Sequence, residues 1–280
     1  MKRSEYLARR RRARVAVMML FALIVGFVSA APPVVTGCQA QDLTPAPDTS
    51  MLSPAVSALA QEQQEPAAQP LPEKWVCLTF DDGPSKTTPD VLNALNAAGV
   101  HATFFVVATG HNEKYLPLLT EAVSAGHQIA LHSASHEYSD IYRSSDAYWE
   151  DIALLKERIA PYVDAESIRY LRFPGGSTNT VSRRYGGKGL MKQLKAEVEQ
   201  KGWHWVDWNV CAEDAVGGHP SAGTIYRNVV HETGQQTNCI VLMHDSSSTH
   251  TTAEALPDII RWYADNGYTF LTVAEALPVR

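Results

Sequence analysis

From residue 74 onward the apolar positions fall into two alternating rhythms. Trp75-Val76-Cys77-Leu78-Thr79-Phe80 is a short β-type run that stops at the turn signal Asp81-Asp82-Gly83-Pro84. Thr88-Pro89-Asp90 opens a helix with Val91, Leu92 and Leu95 on one face, and Gly99 closes it. The same alternation predicts strands over 101–107, 128–131 and 170–173, with helices over 116–125 and 146–161. In the second half it predicts helices over 190–201, 224–233 and 256–266, with strands over 203–210, 239–244 and 268–271. Strands separated by helices of this length imply parallel βα units. They number about seven, so the expected fold class is α/β, a distorted (β/α)7-like barrel.

The first quarter of the chain has neither rhythm. Residues 2–14 hold seven basic side chains and one acid, and the apolar run Val15–Ala31 follows. Basic flank, apolar stretch and then small residues make residues 1–38 an expected export signal or membrane anchor. Three exits stay open: cleavage after Val28-Ser29-Ala30, lipidation of Cys38 in the box Val35-Thr36-Gly37-Cys38, or retention as a tether. Each places the rest of the protein outside the cytoplasm, secreted or held on the outer face of the membrane. Residues 39–73 are rich in Ala, Gln and Pro and read as a disordered linker, because they have too little apolar surface to offset chain entropy. Residues 74–280 then suit one domain with a full-sized core.

That domain carries 17 basic and 24 acidic side chains, a net charge of −7. An acidic balance argues against nucleic acid as a partner and leaves neutral polymers such as glycans open. The domain is expected to act as a monomer. Its cysteines, Cys77, Cys211 and Cys239, lack C-x-x-C metal spacing. Cys77 reads as core, and a Cys211–Cys239 bridge is an open alternative in an exported protein.

Polar residues at the carboxyl ends of barrel strands are where such folds place chemistry. Asp81-Asp82, His132, Arg172, Asp207 and His244 stand at those ends. His132 and His136 are spaced to face the same way if the segment turns helically, and imidazole is the commonest metal ligand. One of the two adjacent carboxylates can complete a metal site, while the other accepts a proton from water. His244 closes an apolar strand and suits a general acid. Arg172 can orient a carboxylate through its planar fork, and Asp207 can hold and charge an imidazole.

Taken together these residues resemble the NodB-type polysaccharide deacetylases, carbohydrate esterase family four, over roughly residues 74–275. Thr79-Phe80-Asp81-Asp82-Gly83-Pro84 is similar to the first family motif, which implies Asp81 as catalytic base and Asp82 as metal ligand. His132-Ser133-Ala134-Ser135-His136 is similar to the second, implying two more ligands in His132 and His136. Arg172-Phe173-Pro174-Gly175-Gly176 is similar to the third, with Arg172 positioning the base and the Gly175 N–H as oxyanion donor. The family often has an aromatic residue at the place of Gly175. Asp207-Trp208 resembles the fourth motif, an aspartate tuning the acid and a tryptophan walling the acetate pocket. Leu242-Met243-His244 resembles the fifth, giving the pocket floor and the general acid. Asp214 and Asp245 are read as structural acids.

The resemblance implies a NodB homology domain that hydrolyses N-acetylated glycans, with a divalent metal, zinc first and cobalt or nickel as alternatives. Water activated by the metal would attack the acetamide, with Asp81 as base and His244 as acid. The expected substrate is N-acetylglucosamine in peptidoglycan. Chitooligosaccharides, acetyl xylan and non-catalytic glycan binding are the competing readings. The Ser246–Thr252 stretch reads as exposed linker, with a role in specificity as the alternative.

Overall fold

In the computed structural model, which describes residues 70–279, the apolar runs form strands joined only by parallel pairings. The expectations placed on residues 1–69, including the export segment, Cys38 and nearly all of the linker, lie outside the described residues. Among the described residues no helix is long and apolar enough to cross a membrane.

The strands are β1 (Trp75–Asp81), β2 (Thr103–Val107), β3 (Gln128–Ser133), β4 (Tyr170–Leu171), β5 (His204–Trp205), β6 (Val210–Cys211), β7 (Asn238–His244) and β8 (Thr269–Phe270). The helices are α1 (Thr88–Ala98), α2 (Leu118–Ser124), α3 (Tyr138–Ile141), α4 (Ser145–Ile159), α5 (Val181–Gly186), α6 (Leu190–Gln200), α7 (Ala222–Thr233), α8 (His250–Asp265) and α9 (Val273–Ala276). Seven strands run in the order β5-β4-β3-β2-β1-β7-β6, and β8 joins β1 at Trp75 and Val76.

The two edges, β5 and β6, are consecutive in the chain. Laid flat, seven strands would separate the edges by about 29 Å at ~4.8 Å per spacing. Five residue steps from Trp205 to Val210 reach at most about 18 Å. The sheet is therefore curled into an open barrel, as expected for the (β/α)7-like class. The connecting segment prolongs both edge pairings, since Val206 N–H donates to Leu171 O of β4 at 2.9 Å and Asn209 N–H to Ile240 O of β7 at 3.2 Å. The single strand expected over 203–210 is for this reason two short ones. A second difference is α8, which starts at His250 and carries Pro257 inside it. The proline imitates a helix start, but here it lies beyond the first turn.

Strand parity decides what enters the barrel, because successive side chains point to opposite faces. In β1, Val76, Leu78 and Phe80 pack outward under the helices, while Trp75 and Cys77 face inward. Phe104 and Val106 of β2, Ile129 and Leu131 of β3, and Val241 and Met243 of β7 follow the outward rule. The inner core at the amino-terminal end holds Trp75, Cys77, Phe105, Ala130, Tyr170, Val206, Val273 and Ala276. Helix α9 plugs that end: Thr272 and Glu275 form a capping box, and Val273 N–H donates to Thr103 Oγ1 at 2.9 Å. Burial pushes the Cys77 thiol up to about 12, which leaves it an inert core residue.

Candidate active site

The same parity places Thr79, Asp81, His132, Arg172, Leu242 and His244 inward at the opposite, carboxyl end. Two turns of left-handed backbone complete the arrangement. Asp82 has φ 69° and His136 φ 56°. For non-glycine residues such conformations cost roughly 1–3 kcal/mol and tend to persist at functional sites. The reversal at Asp82 brings both carboxylates to one imidazole: His132 Nε2 lies 3.8 Å from Asp81 Oδ2 and 3.6 Å from Asp82 Oδ1. Gly83 allows the tight exit, since a Cβ there would sit 2.1 Å from Asp245 Oδ2. Asp245 is thus a buried packing partner of the loop. Burial raises its carboxyl to about 7 against the opposing hydrogen bond from Thr88 Oγ1, 2.5 Å away.

The histidine pair is not helical as the spacing allowed. His132 lies in β3 and His136 in the loop before α3. Asp151 of α4 holds that loop, accepting from Ser133 Oγ at 2.7 Å, Ala134 N–H at 2.8 Å and Ser135 N–H at 2.9 Å. Ser133 Oγ in turn accepts from His136 N–H at 2.9 Å. No motif marks Asp151. Its only signal in the sequence is a carboxylate on the apolar face of a helix, between buried Tyr148 and Ile152.

Asp82, His132 and His136 offer three ligand atoms within 4.8 Å of one another. The donor set fits a divalent cation. Asp82 Oδ1 is buried without a hydrogen-bond partner, 3.3 Å from His136 Nε2. His132 Nδ1 lies 2.7 Å from the Arg172 carbonyl, which can only accept, so the proton is on Nδ1 and Nε2 presents a lone pair. Burial, only partly offset by Asp81 and Asp82, pushes the His132 pKa down and so favours the neutral ring. Burial opposes the charge of Asp82, but the histidines 136, 132 and 244 outweigh it and lower its pKa.

Arg172 is completely buried. Its Nη1 donates to Asp81 Oδ1 at 2.7 Å and to Thr79 Oγ1 at 2.8 Å, and its Nε donates to Val206 O at 2.9 Å. The guanidinium lies 4.0 Å over the Phe105 ring, with Trp208 beside it at 5.5 Å. Asp81 is thereby fixed from below, with its second oxygen toward His132.

The partner of His244 differs from the expected one. Asp214 Oδ1 lies 2.8 Å from His244 Nδ1, and Asp214 Oδ2 accepts from His244 N–H at 2.7 Å and Thr252 Oγ1 at 2.8 Å. Asp207, expected to hold that imidazole, instead accepts from Ser177 N–H at 2.9 Å and Ser177 Oγ at 2.7 Å. The expected contact of Asp207 with His244 is corrected: Asp214, read from the sequence as a structural acid, makes it instead. The reason is topological: β6 lies beside β7, with Cys211 opposite Leu242, so the residues just after β6 reach His244. Burial lowers the His244 pKa, but the hydrogen bond and charge of Asp214, with Asp82 and Asp81, raise it to about 9.

Beside this cluster Phe173 and Pro174 are buried, while Gly175 is exposed at φ 77° and Gly176 follows at φ 80°. A Cβ on Gly176 would lie 3.0 Å from the Trp208 ring, so Trp208 stands against the glycine turn. Leu242 is buried two residues before His244. Thr252 belongs to the first turn of α8, so the 246–252 stretch is only in part a loop. Cys77, Cys211 and Cys239 keep their thiols, and the alternative of a Cys211–Cys239 bridge is not realised.

A parallel barrel that gathers carboxylates and imidazoles at the carboxyl ends of its strands is the architecture of α/β-barrel hydrolases. Residues 68–211 match the polysaccharide deacetylase family, and the chain belongs to that family. It is similar to a Bacillus cereus peptidoglycan-N-acetylglucosamine deacetylase, 31% identical over 208 residues, which are 73% of this chain and 89% of that one. Other curated relatives are longer, and the match spans 31%, 38% and 40% of three of them. Among solved structures it is similar to the catalytic domain of peptidoglycan N-acetylglucosamine deacetylase from Eubacterium rectale, with 37% identity, TM-score 0.69 and coverage of 74% of this chain and 91% of that one. It is also similar to a family 4 acetyl xylan esterase from Clostridium thermocellum in complex with a cobalt ion, with 29% identity, TM-score 0.56 and coverage of 72% and 89%. The expected family and fold are borne out, and the protein is a hydrolase of the polysaccharide deacetylase family.

Proposed function

We propose that the protein removes the acetyl group from N-acetylglucosamine in peptidoglycan, with a divalent cation, zinc first, held by Asp82, His132 and His136. The observation that carries the metal dependence is the buried, unpartnered Asp82 Oδ1 facing two imidazole Nε2 atoms. The preference for peptidoglycan rests on the Bacillus cereus and Eubacterium rectale relatives. An outer-face or secreted location rests on the basic flank and apolar run of residues 2–31. A bound cation would polarise the acetyl carbonyl and make water acidic enough to attack near neutral pH.

The remaining steps belong to the chain. Asp81, aimed by Arg172, takes a proton from the attacking water. The exposed Gly175 N–H, which has no partner among the described residues, donates to the oxygen that gains charge. Trp208, Pro174 and Leu242 border the acetyl group. His244, protonated on both nitrogens, passes its Nε2 proton to the departing amine as the C–N bond breaks, releasing acetate and the free amino sugar.

The test is acetate release by the full chain, stripped with a chelator and reloaded, from peptidoglycan, N-acetylglucosamine oligomers and acetylated xylan side by side. Stripping is expected to abolish release and zinc or cobalt to restore it. Release from xylan alone would make the protein an esterase, and release undiminished by complete metal removal would refute the metal dependence.

A second prediction concerns pH. His244 acts while protonated, so kcat should fall as pH rises through the raised pKa of about 9. Asp214 supplies part of that elevation and keeps supplying it when a cation screens Asp81 and Asp82. Asp214→Asn should therefore move the alkaline limb of kcat to lower pH, by about one pH unit or more. A limb that stays in place would remove Asp214 from the mechanism.

A further inference from the structure

Position 175 has no side chain, and another residue stands in the space that a side chain would enter. A Cβ on Gly175 would lie 3.3 Å from Tyr138 Oη and 3.6 Å from Tyr138 Cε1. Tyr138 opens α3, two residues after His136. Its ring lies against the His136 imidazole, with centroids 5.4 Å apart, and stacks at 6.1 Å and 16° on Tyr142. Tyr142 is itself tied to the glycine turn, donating from its hydroxyl to Pro174 O at 2.7 Å. The ring of Tyr138 thus lies against His136 and Tyr142, with its hydroxyl edge at the space left open beside Gly175.

Its hydroxyl is in a different condition. Tyr142 and Tyr170 both donate to backbone carbonyls, at 2.7 Å each. Tyr138 Oη makes no hydrogen bond with any described residue, and it is not among the sealed, unpartnered side-chain atoms, so solvent or a ligand can reach it. A rigidly held phenol with a free donor and acceptor therefore stands between His136 and Gly175. That interval adjoins the ligand set of Asp82, His132 and His136.

We propose that Tyr138 is a substrate-positioning residue, its ring walling the sugar next to His136 and its hydroxyl hydrogen-bonding a ring hydroxyl of that sugar. Gly175 is the other half of the device: without a side chain it leaves room for Tyr138, reached from a different loop, to form the wall. The proposal rests on the deacetylase reading above and adds a residue that determines how the glycan is held. An aromatic face with a polar tip suits a pyranose, whose C–H face and hydroxyl rim need both kinds of contact.

The experiment compares wild type with Tyr138→Phe in the full chain, on N-acetylglucosamine oligomers. Phe keeps the ring and its packing, and equal melting temperatures would establish that the fold is intact. Losing one substrate hydrogen bond should raise KM about tenfold while kcat stays within twofold. Zinc affinity, measured by competition with a chelator, should stay within twofold, because the ring against His136 is retained. An unchanged KM overturns the proposal. So does a loss confined to kcat together with weaker zinc binding, which would mean that Tyr138 only braces His136. Wild type that releases no acetate from any glycan would sink the underlying reading and this proposal with it, and that arm is read first.

Discussion

Asp81→Asn is expected to lower kcat for acetate release by about three orders of magnitude while the cation stays bound. Asp81 lies outside the three-atom ligand set, so metal content by elemental analysis should match wild type. What the substitution removes is a buried carboxylate whose Oδ1 is taken by Arg172 at 2.7 Å and whose Oδ2 faces the site. Loss of a positioned general base typically costs 10²–10⁴ in rate. Asparagine keeps the shape and an acceptor for Arg172 but not its counter-charge, so a deficit of this size belongs to proton transfer when the melting temperature shows the variant folded at the assay temperature. Near-normal turnover with the metal in place would remove Asp81 from the role of base.

The largest stability effect is expected at Arg172. Arg172→Met should destabilise the domain by about 3–5 kcal/mol, because it leaves Asp81 buried without its counter-charge. The carbonyl of Val206 and the hydroxyl of Thr79 would lose their donor as well. Methionine fills most of the volume, so the cavity contribution is small. For a domain of this size the melting temperature should fall by about 10 °C, measured calorimetrically with and without zinc. Arg172→Lys should recover only part of this, since a point charge cannot reach Val206, Thr79 and Asp81 at once. A melting temperature within about 2 °C of wild type for Arg172→Met would mean that the buried pair contributes little beyond positioning.

Much of this site is legible in the order of residues along the chain. The alternation of apolar runs places β1, β3, β4 and β7 within one or two residues, and parity along each run puts Asp81, His132, Arg172 and His244 on one face. Those are local properties: side-chain direction in a strand follows from backbone geometry, and turn residues mark where each strand stops. Sequence pattern misleads where local rules compete with a distant partner. Trp203–Val210 has the composition of one strand, yet it crosses between the two edges of a curled sheet and is split. Pro257 looks like a helix start, yet packing of Leu256, Ile259 and Ile260 carries α8 through it.

The sequence by itself determined the fold class, the family and the residues that gather at the strand ends, because periodicity and short motifs report local geometry. Tertiary structure alone decided who pairs with whom. Asp214 rather than Asp207 reaches His244 because the curl sets β6 next to β7, a relation across 30 residues. Asp81 and Asp82 converge, instead of diverging as neighbours in a strand do, because the backbone turns left-handed at Asp82. Asp151 holds the histidine loop from a helix 16 to 18 residues further on. The phenol of Tyr138 meets Gly175 only through the packing of α3 on the turn after β4. Hydrogen bonds and close approaches fall off within a few ångströms, so partners far apart in sequence are fixed only when the sheet has closed around them.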